Sequence, residues 1–105
     1  MDVMSKDLQT ILEAIKNRVQ LKHLFLFGSY AEGRANTESD LDLCIVAETD
    51  KSKIEALREI RIDLYAKVTS PIDFLFFTPD EFETRSKVPK RFEWQIQNRG
   101  QLIYG

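Results

Sequence analysis

A chain of 105 residues makes one domain, residues 1–105, with room for a hydrophobic core but none for separate parts that grip a polynucleotide template. A net charge of −2 argues against tight general binding to DNA or RNA, so no stable nucleic-acid complex is expected. One cysteine excludes an internal disulfide, and one histidine, His23, is too few for a zinc site or a serine-histidine hydrolase.

The chain opens on Leu8, Ile11, Leu12, Ile15 and Val19, whose spacing of three and four describes one apolar helix stripe belonging to a core. A nearly continuous apolar run, His23 to Phe27, then reads as a strand buried on both faces. Gly28 ends it. Glycine permits a tight turn and close approach of a ligand, and Ser29 adds a hydroxyl and an N–H at the expected first turn of a short helix. Unpaired N–H groups at such a start form a place for phosphate oxygens. Taken alone, a Gly-Ser pair is equally the mark of an ordinary strand-to-helix turn.

Ten residues separate Ser29 from Asp40, and a strand SDLDLCIV follows. Alternation puts Asp40 and Asp42 on one face, roughly 6.5–7 Å apart along the strand, with Leu41, Leu43 and Ile45 on the other. A half-buried strand with solvent-facing acids reads the same way up to this point. Cys44 and Val46 continue the aspartate face with apolar residues, however, which sets the acids at the mouth of a core, where they need compensation. Cys44 itself reads as a small buried hydrophobe.

A second helix is expected after Asp50 as its N-cap, with Ile54, Leu57, Arg61, Leu64 and Val68 along its inner side. As a crossover it makes the strands it joins parallel, adjacent or one position apart. The next strand, Pro71 to Phe77, is apolar except for Asp73. If it lies beside Asp40 to Val46, three carboxylates converge. Hard divalent cations are their natural compensation, and two such ions about 3.5–4 Å apart can activate a hydroxyl and steady a leaving phosphate. Thr78-Pro79-Asp80-Glu81 is a capping box with proline at the first helical position, and Phe77 and Phe82 are spaced as a hydrophobic staple. Arg85, Lys87, Lys90 and Arg91 form a basic cluster around Pro89, read as a solvated helix face rather than a polynucleotide track. A last helix through Phe92 and Ile96 ends near Gly100 with Trp94 off its stripe, and Gln101 to Tyr104 add an edge strand.

Gly28-Ser29, the ten-residue interval, Asp40-Leu41-Asp42 and the later strand acid Asp73 together resemble the minimal nucleotidyltransferases (MNT) of the DNA polymerase beta-like superfamily, over essentially the whole chain. The resemblance implies an α/β (α+β) nucleotidyltransferase fold, a small mixed sheet flanked by helices in a single domain. It also implies that ATP binds with Mg²⁺, in two ions, and that a hydroxyl attacks the α-phosphate while pyrophosphate leaves. Gly28 and Ser29 would hold the β- and γ-phosphates, Asp40 and Asp42 would ligate metal, and Asp73 would complete the acceptor-side metal site and help deprotonate the hydroxyl. Members of the family carry a basic residue where this chain has Glu32, and the exchange leaves Arg34 divided between phosphate contact and surface charge. Free-standing proteins of this kind resemble antitoxins paired with helical HEPN toxins, whose tyrosine is the acceptor. Two other classes stay open: a non-catalytic subunit that neutralises a helical partner by masking it, and a small-molecule transferase of the aminoglycoside type, which in that family uses a further helical domain. The chain reads as cytoplasmic and without a membrane segment, its oligomeric state open.

Overall fold

The computed structural model describes residues 3–28 and 41–105. Ser29, Arg34 and Asp40, with Glu32, lie outside the described residues. Four helices and four strands follow in the order α1 (Val3–Arg18), β1 (Gln20–Phe27), β2 (Leu41–Glu48), α2 (Lys53–Leu64), β3 (Ile72–Phe77), α3 (Pro79–Ser86), α4 (Phe92–Arg99) and β4 (Gln101–Tyr104). The sheet runs β3-β2-β1-β4. β1 is antiparallel to both its neighbours, whereas the α2 crossover makes β2 and β3 parallel and adjacent. The mixed sheet of the α+β expectation is therefore present, and β4 is the edge strand foreseen at Gln101 to Tyr104.

Alternation along the central strands divides the core in two. Leu24 and Leu26 of β1 and Leu41, Leu43 and Ile45 of β2 face α1 and α2, where Ile11, Ile15 and Val19 of the first helix stripe meet them. On the reverse face Phe25, Cys44, Val46 and Phe77 pack against Phe82 of α3 and Ile96 of α4. Cys44 is fully buried there, and burial, with the nearby Glu93 carboxylate adding to it, pushes its thiol up to about 12. It is a packing residue and not a nucleophile. Among the described residues no helix is long and apolar enough to cross a membrane.

Local signals at α3 hold in full. The Thr78 hydroxyl accepts from Glu81 N–H, Glu81 Oε1 accepts from Thr78 N–H at 2.9 Å, and the Phe77 and Phe82 rings stand 5.9 Å apart. Lys53 of α2 adds a 2.6 Å ion pair to the same Glu81, and this bond, with that from Thr78, holds the carboxyl down at about 2.

Two expectations for α2 need correction. Ser52, not Asp50, is the N-cap, its hydroxyl accepting from Glu55 N–H. The buried stripe is Ala56, Ile60 and Leu64; of the residues expected inside, Leu64 is buried and Leu57 and Val68 pack against the core, whereas Arg61 is exposed and Ile54 is 74% exposed. Both stripes have helical spacing. The sheet selected the one whose smaller first member, Ala56, lets the helix approach closely. The basic cluster around Pro89 is not one helix face: Arg85 lies on α3 over the Phe77 ring, whereas Lys87, Lys90 and Arg91 fall in the turn that joins α3 to α4, where Lys87 pairs with Glu83 and Arg91 with the buried Glu93. Trp94 is half-buried.

Candidate functional site

The site is built at one end of the sheet, where three strands come level. Phe27 pairs with Asp42 across the antiparallel β1/β2 ladder, and Asp42 pairs with Asp73 across the parallel β2/β3 ladder. Neighbouring strands lie about 4.8 Å apart, so the two aspartates are direct lateral neighbours. Both project to the α3/α4 face, because each stands two residues before a member of that core: Cys44 follows Asp42, and Leu75 follows Asp73. Leu41 N–H donates to Pro71 C=O at 2.8 Å, which carries the ladder to the start of β3 and holds this register.

Asp42 is half-buried and Asp73 exposed. The pair thus forms a rim, with the apolar packing of the α3/α4 face behind it. Gly28 closes the rim from β1. Its φ of +74° is left-handed, and a Cβ placed there would stand 2.2 Å from Oδ2 of Asp42. Only glycine leaves that carboxylate its position.

Beside the turn is a cavity of about 230 Å³ whose described lining includes Phe27, Gly28, Phe92, Gln95 and Arg99. Phe92 meets Phe27 edge-on, with centroids 5.4 Å apart. The cavity presents an amide and a guanidinium next to the glycine turn, and a guanidinium is well matched to phosphate oxygens. Sequence reading passed over Gln95 and Arg99. They sit one helical turn apart on α4, and only the docking of α4 against the end of β1 gives that face a meaning.

Of the six site residues expected from the sequence, Gly28, Asp42 and Asp73 are brought together, and Ser29, Arg34 and Asp40 lie outside the described residues. Among the described residues no group of three His, Cys, Asp or Glu side chains forms a metal cluster. The donor set that is present consists of carboxylate oxygens alone, which suits a hard ion such as Mg²⁺ and suits soft metals poorly.

Residues 9–105 match the family model described as "Polymerase beta, Nucleotidyltransferase". The chain belongs to this family, and its class is that of a nucleotidyltransferase. A relative in Methanocaldococcus jannaschii, assigned by name as a protein adenylyltransferase, is 28% identical over 103 residues, which cover 94% of this chain and 96% of that protein. The fold is shared with two solved toxin–antitoxin structures. One, with AMP-PNP, superposes with a TM-score of 0.68 at 21% identity, covering 92% of this chain and 72% of the other. The second, an MntA–HpeT complex with two aspartates changed to glutamate, gives 0.64 at 18% identity, covering 92% and 71%. The resemblance to the minimal nucleotidyltransferases therefore holds.

Proposed function

We propose that this nucleotidyltransferase moves AMP from ATP to a hydroxyl on another protein, a tyrosine of a helical HEPN-type toxin, and so acts as an antitoxin. The observation that carries the reading is the register pair of Asp42 and Asp73 beside the Gly28 turn. It is supported by the adenylyltransferase name of the relative and by the toxin–antitoxin setting of two proteins with the same fold.

Gly28, followed by Ser29, lets the backbone approach the β- and γ-phosphates, with Arg34 as a further contact. Asp42, with Asp40, offers oxygen ligands to Mg²⁺, which would neutralise phosphate charge and polarise the α-phosphorus when bound. Asp73 receives the proton of the acceptor hydroxyl. The acceptor oxygen then forms a bond to the α-phosphorus, the bond from that phosphorus to the bridging oxygen breaks, and pyrophosphate leaves with the electron pair. An exposed Asp73 fits this role, since a protein-borne hydroxyl has to reach it from outside.

The test is incubation with labelled ATP, Mg²⁺ and the protein encoded beside this chain's gene. Label should appear on that protein, as an added AMP mass on a tyrosine, and Asp42→Ala should abolish it. Label persisting in Asp42→Ala would refute the metal role, and neutralisation without label would point to masking instead.

A further inference from the structure

The three most exposed large apolar residues among those described are on α2 and at its C-cap: Tyr65, the cap, at 85%, Ile54 at 74% and Ile62 at 64%. Together with Leu57, Arg58 and Arg61 they line one groove. This is the second stripe of a helix whose first stripe already fills the core, so the fold does not need it. Such a contiguous apolar face marks an interaction site rather than scattered surface residues.

Two features say what covers it. The groove's charged lining is Arg58 and Arg61, both basic, while the acids Glu59 and Asp63 are held by Lys51 and Arg18. Arg61 is fixed in place, its guanidinium over the Phe74 ring and donating to Ile72 C=O. A second copy packed about a twofold axis through the stripe would set Arg58 against Arg61 across that axis, which is unfavourable. An apolar surface bounded by acids would be complementary. Arg61 and Tyr65 also line a neighbouring cavity bounded by Pro71 and by Ile72 and Phe74 of β3, the edge strand that carries Asp73.

We infer that this face docks a helix of the protein that supplies the acceptor, with an apolar stripe flanked by Asp and Glu, and that docking there delivers the hydroxyl around the β3 edge to Asp73. The inference rests on the proposed transfer to another protein. Ile54 to Tyr65 span about 17 Å, or three turns, and straight helical stripes pack against one another ridge into groove. Tyrosine and arginine, present here as Tyr65 at one end and Arg58 and Arg61 between, are residue types that dominate binding.

The test uses the full-length chain and the adjacent-gene protein, with complex formation followed by sedimentation and titration. Tyr65→Ala and Ile62→Asp should each weaken the complex roughly tenfold or more, and Arg58→Gln with Arg61→Gln should remove most of its salt dependence. The melting-temperature rise with ATP and Mg²⁺ should be unchanged in all of these, which shows the pocket intact. Asp42→Ala should do the opposite, losing transfer and keeping the complex. If wild-type protein forms no complex, or if the complex survives Ile62→Asp, the inference is overturned even when ATP binds normally. A homodimer of the chain alone that Ile62→Asp turns into monomer would overturn it in favour of self-association.

Discussion

The two faces of the sheet show different uses of the same strands. Towards α1 and α2, β1 and β2 present Leu24, Leu26, Leu43 and Ile45, closed by helix side chains along their length. Towards α3 and α4 the packing begins in the same way with Phe25, Cys44 and Val46, then stops at the strand ends, where Phe27, Asp42 and Asp73 stand in a row beside Gly28. One face is sealed to hold the protein together. Among the described residues the apolar packing of the other gives way at that end to Asp42 and Asp73, so residues a few ångströms apart on β2 contribute to different properties, and substitutions on it should separate stability from turnover.

The largest separation is expected at Asp73. Asp73→Asn should lower the transfer rate by about 10² to 10⁴ while leaving the ATP-induced rise in melting temperature, because the variant removes a proton acceptor and not the phosphate turn. Equal loss of rate and of ATP binding would place Asp73 in nucleotide binding instead. On the sealed face, Ile45→Ala should cost about 2–5 kcal/mol in denaturant unfolding, the range for emptying a fully buried aliphatic site. Gly28→Ala joins the two effects. Its left-handed backbone and the 2.2 Å approach to Asp42 predict a loss of about 1–3 kcal/mol together with impaired transfer. Transfer at the wild-type rate would show that the Asp42 carboxylate tolerates displacement.

The smallest effect concerns the Lys53–Glu81 pair that ties the start of α2 to the start of α3. The folded carboxyl lies at about 2, below its ordinary 4.5, so its stabilisation is present above pH 4.5 and is lost as pH falls from there towards 2. Both side chains are more than a third exposed or close to it, which keeps the contribution to about 1 kcal/mol or less. Lys53→Met should flatten that part of the stability profile, measured by urea midpoints against pH. An unchanged slope would assign it to other acids.

How much of this was legible in the sequence depends on the range of the interaction concerned. The start of α3 could be read at once, since Thr78 and Glu81 satisfy each other's backbone N–H within four residues with Pro79 between them, and the ion pair from Lys53 only adds to a cap that is already closed. The α2 start was misread by two residues because Asp50 and Ser52 are both competent caps, and only the helix's placement decides which hydroxyl or carboxylate meets an N–H. Its inner face was read correctly at Leu57, Leu64 and Val68 and misread at Ile54 and Arg61 for a similar reason. Ile54 keeps helical spacing with Leu57 and Leu64 as well as Ala56 and Ile60 do with Leu64, and an exposed apolar residue looks like a core one until the sheet is in place.

Local pattern suffices for whatever is a property of a short segment: the strand alternation that puts Asp42 on the face of Cys44, the glycine after Phe27, the capped helix at Thr78 and the family to which these residues belong. Tertiary structure alone decided that β3 lies parallel and immediately beside β2, so that Asp73 comes level with Asp42, and that α4 brings Gln95 and Arg99 to the turn at Gly28. The physical reason is that periodicity records which side of an element is apolar, whereas register and docking arise from packing between segments distant in the chain, where several pairings satisfy the same local pattern.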